Sequence, residues 1–186
     1  MTIATKARRW LPLLVVVAVI GPARARAGGQ DEAADYQRTG QAVQIGNHWP
    51  FRIEICSITH EVKRLPAVKS SQAVIDLEAD KRLTLEMLRD IDMERFTFML
   101  RAGYRRNGYD DVKRVTALLQ ALSGKELKKG DVVTIRYDPA TKVTRLAVKG
   151  GETSSVEGVD FMRATWSLWF GKTSPSDMGE QLASLM

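Results

Sequence analysis

The spacing of the apolar residues changes three times along this chain, and these changes restrict its fold more than any other feature. Apolar and polar residues alternate from Phe51 to Val62 and from Lys81 to Leu88, as in strands with one buried face. Helical spacing follows Arg89, β-branched strands return at Val132, and helical spacing returns at Val159. The order β-β-β, α-α, β-β-β, α-α predicts an α+β fold, with helices layered on one face of a curved antiparallel sheet.

The first and third strands of this pattern are the least sharply marked. A first strand is expected at Val43–Ile45, before a turn at Gly46-Asn47, and Ala73–Leu77 is expected to be a short strand or a turn. The later hairpin is expected to have its turn at Asp138–Lys142, because an Asp-Pro pair is typical of turns.

Aspartates mark the starts of the two central helices. Asp90 or Asp92 can cap the first helix, and Asp110 or Asp111 can cap the second, because a short carboxylate accepts hydrogen bonds from the free amides of the first turn. A last helix is expected to open near Pro175.

Residues 1–27 have the composition of a secretory signal peptide. A basic segment, Lys6–Arg9, precedes eleven mainly apolar residues, Trp10–Ile20, and Ala25-Arg26-Ala27 provides small residues for cleavage between Ala27 and Gly28. A membrane-spanning helix needs about 20 apolar residues, and this stretch has about half that number. An uncleaved membrane anchor is therefore the weaker alternative. We therefore expect an exported protein, periplasmic or secreted, with no stable membrane span after cleavage. It would have a flexible mature N-terminus at 28–42 and one domain at 43–186.

The net charge gives no support for nucleic-acid binding. Five cations of the predicted signal account for most of the formal charge of +6, which falls to +1 without them. A nearly neutral domain lacks the basic surplus of nucleic-acid-binding proteins, so no nucleic-acid partner is expected.

The sequence contains no recognisable metal, nucleotide or triad motif. His48 and His60 are the only histidines, Cys56 is the only cysteine, and there is no HExxH, GxSxG or phosphate-binding glycine loop. Cys56 and His60 on one strand would have Cβ atoms about 13 Å apart, too far for a catalytic pair. We expect a buried thiol, no metal and no cofactor.

The last third of the chain resembles the bacterial chalcone isomerase-like proteins. The resemblance rests on the segment Leu127–Pro139, on Gly158-Val159-Asp160-Phe161, and on Trp166–Pro175 with its Trp-Phe-Gly-Lys-Thr-Ser-Pro ending. Weaker similarity extends upstream, so that the resemblance covers about residues 43–186. It implies a curved antiparallel sheet with a ligand cleft between the sheet and its helices.

The resemblance implies two activities. Relatives of this fold bind fatty acids without catalysis, whereas plant chalcone isomerases close a chalcone ring without a cofactor. For binding, the candidates are Arg52, Tyr104, Trp166 and Trp169, with Arg52 suited to a carboxylate. For an intramolecular lyase, the candidates are Arg52, Thr59, Tyr104 and Asn107.

The favoured hypothesis is non-catalytic binding of a small apolar or amphipathic molecule, such as a fatty acid. A cofactor-independent isomerase is the first alternative. The second is a structural or partner-binding periplasmic domain whose cleft Trp166 and Trp169 fill. The sequence leaves the oligomeric state open.

Overall fold

Six strands form one antiparallel sheet in which each strand pairs with its neighbours in the sequence. The structure, a computed structural model, describes residues 35–48, 51–124, 126–172 and 177–186. The predicted signal peptide and the Ala27–Gly28 cleavage site lie outside these residues. The strands are β1 (Gln37–His48), β2 (Phe51–Val62), β3 (Lys81–Met87), β4 (Val132–Asp138), β5 (Val143–Val148) and β6 (Thr153–Glu157).

Helices occupy three places in the chain. One lies between β2 and β3, two follow β3, and two follow β6. They are α1 (Ser71–Asp76), α2 (Met93–Arg106), α3 (Val112–Leu119), α4 (Val159–Phe170) and α5 (Met178–Leu182), and a short 3-10 turn (Gln120–Leu122) extends α3. No described helix has both the length and the apolar character needed to cross a membrane.

The helices pack on one face of the sheet, and the alternation of the strands explains which face. In β3, Leu83, Leu85 and Met87 are buried beneath the helices, whereas the residues between them point to the other side. The opposite face is polar, with a row of threonines in register, Thr59, Thr84 and Thr134. The predicted α+β fold, with helices on one face of an antiparallel sheet, is therefore confirmed.

Two predicted elements differ from the structure. Of residues 73–77, expected as a strand or turn, 73–76 belong to the helix α1 and Leu77 is its C-cap. The Ser70 side chain caps it by accepting a hydrogen bond from Ala73 N at 3.1 Å, and Val74 and Ile75 are buried. The cap and the burial outweigh the strand preference of a Val-Ile pair.

The first strand is longer than its sequence indicates. It begins at Gln37, which pairs with Val62, and Gly46-Asn47 are still paired with β2, so the turn expected at Gly46-Asn47 does not lie there. Residues 37–42 are therefore part of the sheet. Their polar composition alone does not predict a strand. Contacts with β2 and α5 stabilise this part of β1 instead.

Candidate functional site

A cleft of about 410 Å³ opens between the β1–β2 hairpin and the start of α2. This volume lies in the range of roughly 300–1,000 Å³ that is usual for small-molecule sites. Most of its lining surface is apolar. The lining residues are Gly46, Ile53, Ile55, Arg89, Asp90, Ile91, Asp92, Arg95, Phe96 and Met99.

A β-bulge in β2 helps to place isoleucines in the wall of this cleft. Pairing passes from Gln44–Cys56 to Ile45–Glu54, so Ile55 has no partner on β1, and its carbonyl accepts a hydrogen bond from Leu88 N at 3.0 Å. Gly46 leaves room for Ile55, because a Cβ at position 46 would lie 2.9 Å from Ile55 Cδ1.

The rim of the cleft is held by the segment before β4. Ile91 N donates to Leu127 O at 2.8 Å, and Asp90 accepts a hydrogen bond from Lys129 N at 3.0 Å. This amide, together with the nearby charges of Lys128 and Arg89, holds the pKa of the Asp90 carboxyl below its usual value. Asp92 is engaged as well, because its carboxylate caps α2 by accepting from Arg95 N.

Two arginines also lie at the cleft. Arg89 and Arg95 are exposed, and neither guanidinium forms a hydrogen bond or an ion pair with another residue that the structure describes. Since both neighbouring aspartates are already engaged, the cleft presents an apolar wall beside two available cations. This arrangement suits an amphipathic anion.

Arg52 belongs to β2, where its backbone pairs with Asn47, but its side chain lies outside the described residues. The next residue, Ile53, lines the cleft. The predicted role of Arg52 therefore stays a prediction.

The other residues named for catalysis are not brought together. Thr59 lies on the polar face of the sheet, away from the helices. Tyr104 is buried, and its hydroxyl hydrogen-bonds Thr165 Oγ1 at 2.9 Å. Asn107 ends α2, and its amide donates to Gly103 O at 2.9 Å. Burial raises the pKa of the Tyr104 phenol well above its usual value, so this group remains neutral.

The two predicted binding tryptophans lie in the core. Trp169 is buried, and Trp166 is fully buried and donates from Nε1 to His60 Nε2 at 3.0 Å. Because the indole N–H can only donate, His60 Nε2 must accept, and the ring proton sits on Nδ1. His60 Nδ1 therefore donates to Thr39 Oγ1, 2.6 Å away, and the Thr39 hydroxyl donates to Leu182 O at 2.8 Å.

This chain of hydrogen bonds is complete with a neutral imidazole. Burial, and secondarily the charge of Lys81, lowers the pKa of His60 to about 3. A second ring proton would face the Trp166 N–H, which also donates. His60 therefore joins β1, β2, α4 and the C-terminal segment as a structural group. This role has no local signal in the sequence, because the partners lie 21 and 106 residues away.

A buried lysine also lies beside Trp166. Lys81 Nζ is 4.6 Å from the indole centroid and donates to Val74 O at 2.7 Å and Ile75 O at 3.1 Å, the last carbonyls of α1. Burial lowers the pKa of Lys81 to about 6. Lys81 does not line the cleft, so its role is to join α1, β3 and α4.

Neither the single cysteine nor the described His, Asp and Glu side chains form a reactive thiol or a metal site. Cys56 is fully buried, as predicted, and burial raises the pKa of its thiol to about 12. Within the described ranges, no group of three His, Cys, Asp or Glu side chains is arranged to hold a metal ion.

Comparison with known proteins agrees with the fold. The model of a family described as chalcone isomerase-like matches residues 65–180. Among the solved structures that match is the crystal structure of a fatty-acid-binding protein from Arabidopsis thaliana, with a TM-score of 0.65. It is 13% identical to this chain, and the match covers 81% of this chain and 90% of that one. At this identity the likeness establishes a shared fold alone. No curated protein matches the sequence.

Proposed function

Because this chain belongs to the chalcone isomerase-like family, we propose that it is an exported protein that binds a small amphipathic anion, of the fatty-acid type, without catalysis. The ligand lies in the cleft between the β1–β2 hairpin and α2. The observation that carries the proposal is a pair of arginines beside an apolar wall, Arg89 and Arg95, whose guanidiniums form no hydrogen bond or ion pair with the residues that the structure describes.

Each part of the proposed ligand has a matching feature in the cleft. A guanidinium offers a fork of donors that matches a carboxylate, and Arg89 and Arg95 supply two forks. Ile53, Ile55 and Met99 provide the apolar surface for the chain. The similar fold of a fatty-acid-binding protein supports this ligand class. No observation favours the isomerase, since Thr59 and Tyr104 lie in different environments.

Calorimetric titration with straight-chain carboxylates tests the ligand class. Burial of one methylene contributes about 0.8 kcal/mol, so affinity is expected to rise about fourfold per carbon until the cleft is full, and then to level off. The matching primary alcohols, which lack the charge, are expected to bind at least about tenfold more weakly. Equal affinities of acids and alcohols would contradict the role of the arginines.

Substitutions locate the site. Arg89→Met and Arg95→Met are expected to weaken carboxylate binding and leave alcohol binding unchanged. Arg52→Met tests the sequence-based candidate in the same assay. Arg145→Met is the matched control, because Arg145 is exposed on β5 and does not line the cleft. Unchanged binding in both cleft variants would place the ligand elsewhere.

Export is tested separately. Expression of the full chain in a bacterium, followed by fractionation, is expected to give a periplasmic or secreted protein. Its intact mass should match a chain that begins at Gly28. A cytoplasmic protein with an uncleaved N-terminus would contradict this part of the proposal and leave the binding assay unaffected.

A further inference from the structure

The helix α2 carries a second patterned face, which points away from the cleft. Glu94, Phe98, Arg101 and Arg105 follow one another at intervals of four, three and four residues, so they form one stripe along the helix. The cleft is lined instead by Arg95, Phe96 and Met99 of the same helix. Phe98 is unusually exposed for a phenylalanine, because 66% of the residue's surface is accessible to solvent.

The spacing and the charges of this stripe are complementary to themselves. Intervals of four and three residues are those of the seam between two packed helices. If two copies of α2 pair in antiparallel orientation about a two-fold axis, Glu94 of each copy faces Arg105 of the other. Phe98 then faces Arg101 of the other copy, where a guanidinium can stack on the ring.

The residues needed for these contacts are available. Glu94 and Arg105 are exposed, and neither side chain is paired within the described part of the chain. Arg101 makes a hydrogen bond to Thr116 Oγ1 at 2.8 Å, which fixes its position beside the seam. Beside the stripe lie two small residues, Thr97 and Ala102, which allow a second helix to approach closely.

A groove between α2 and α3 provides a place for an apolar side chain. Its volume is about 180 Å³, below the roughly 300 Å³ of ordinary small-molecule sites, and it suits a single side chain. Phe98, Tyr104, Tyr109 and Val112 contribute its apolar walls, with Arg101 and Arg105 at its edge. Val112 is itself 63% exposed.

We propose that this protein forms a two-fold symmetric dimer through antiparallel α2 helices. Phe98 of each copy packs at the α2–α3 groove of the other, and two Glu94–Arg105 ion pairs flank the axis. A stable interface buries about 800 Å² per partner, more than one helix seam provides. The dimer is therefore weak and depends on protein concentration. It does not depend on the ligand cleft, which uses another face of α2.

Sedimentation-velocity ultracentrifugation of the purified chain, over a wide concentration range, tests this dimer. The wild-type protein is expected to shift from monomer towards dimer as concentration rises, and the shift should weaken at high salt. Glu94→Arg and Arg105→Glu each place like charges together at two symmetric positions, so each should weaken association at least about tenfold. The double variant E94R/R105E exchanges the charges and should restore it.

A matched pair of variants tests the apolar contact. Phe98→Asp is expected to abolish dimer formation, whereas Val68→Asp, at a similarly exposed position outside the helices (63%), should leave it intact. Thermal unfolding of the dilute monomers should be similar, since both side chains are exposed. A wild-type monomer at every concentration, or a dimer that survives both charge reversal and Phe98→Asp, would overturn the proposal.

Discussion

At the scale of single residues, Lys81 and His60 are buried beside the same indole but satisfy their polar atoms differently. His60 is held neutral between one donor and one acceptor, with no charge to compensate. Lys81 donates to two carbonyls and lies near the face of Trp166, but among the described residues no carboxylate forms an ion pair with its ammonium. Keeping Lys81 protonated in the folded state is therefore costly.

This cost predicts a pH dependence of stability. The pKa of Lys81 is about 6 in the folded protein and about 10.4 in an unfolded chain, so between these values the unfolded chain binds a proton that the folded protein lacks. The free energy of unfolding should therefore rise between pH 7 and 9 by up to about 1.4 kcal/mol per pH unit from this group. Urea unfolding of Lys81→Met should show a smaller rise.

The control for this prediction is Lys63→Met. The Lys63 ammonium lies near the surface, 3.9 Å from Asp80 Oδ2, so its removal should leave the pH dependence intact. The same slope in Lys81→Met as in the wild-type protein would contradict the assignment.

The sequence could not show which of these side chains are buried. Alternation places Thr59 and His60 on opposite faces of β2, but a one-residue shift in register exchanges the faces. Only the pairing of His60 with Gly40 and Leu83 fixes the register. Lys81 is the first residue of its strand, where a lysine is ordinarily exposed. It is buried here because it packs under α1, a helix that the sequence did not predict.

At the scale of elements, helix starts were the most predictable features and helix capping explains why. The sequence left two aspartates open at each start, and the structure selects the second in both cases. Asp92 accepts from Arg95 N at 2.8 Å, and Asp111 accepts from Arg114 N at 3.0 Å. The short helix α1 escaped prediction because six residues carry too little periodic signal.

These caps predict a graded series of variants. Asp92→Ala and Asp111→Ala should each lower the free energy of unfolding by about 1 kcal/mol, because each leaves a first-turn amide without its acceptor. Asp110→Ala should change it by less than about 0.5 kcal/mol, since Asp110 is exposed and is not the cap. Urea unfolding measures all three variants. A larger loss of stability for Asp110→Ala than for Asp111→Ala would show that Asp110, not Asp111, is the cap.

At the scale of the whole molecule, the sheet and its helix layer are closed at the β1 edge by the end of the chain. Leu185 N donates to Thr39 O at 2.8 Å, and Thr39 Oγ1 donates to Leu182 O. This closure links residues 143 positions apart. The element order predicted the sheet, but neither β1 before Val43 nor its contact with α5 had a local signal, because both depend on distant partners.

The close contact at this edge depends on Gly40. A Cβ at position 40 would lie 2.2 Å from Gln181 O and 2.4 Å from Leu182 C, and neither backbone atom can move without displacing α5. Gly40→Ala should therefore lower the free energy of unfolding by about 1–3 kcal/mol. It should also speed hydrogen exchange of the Leu185 amide, because the C-terminal segment must shift from β1.

Gly46→Ala is the matched control in the same strand. There the added Cβ meets Ile55 Cδ1 at 2.9 Å, the far end of a flexible side chain that can rotate away. Its loss of stability should be smaller, and the Leu185 amide should remain protected. If Gly40→Ala were as stable as Gly46→Ala and kept the Leu185 amide protected, the C-terminal segment would not be packed on β1 as described. The His60–Thr39–Leu182 hydrogen bonds would then lose their last acceptor, since Leu182 belongs to that segment.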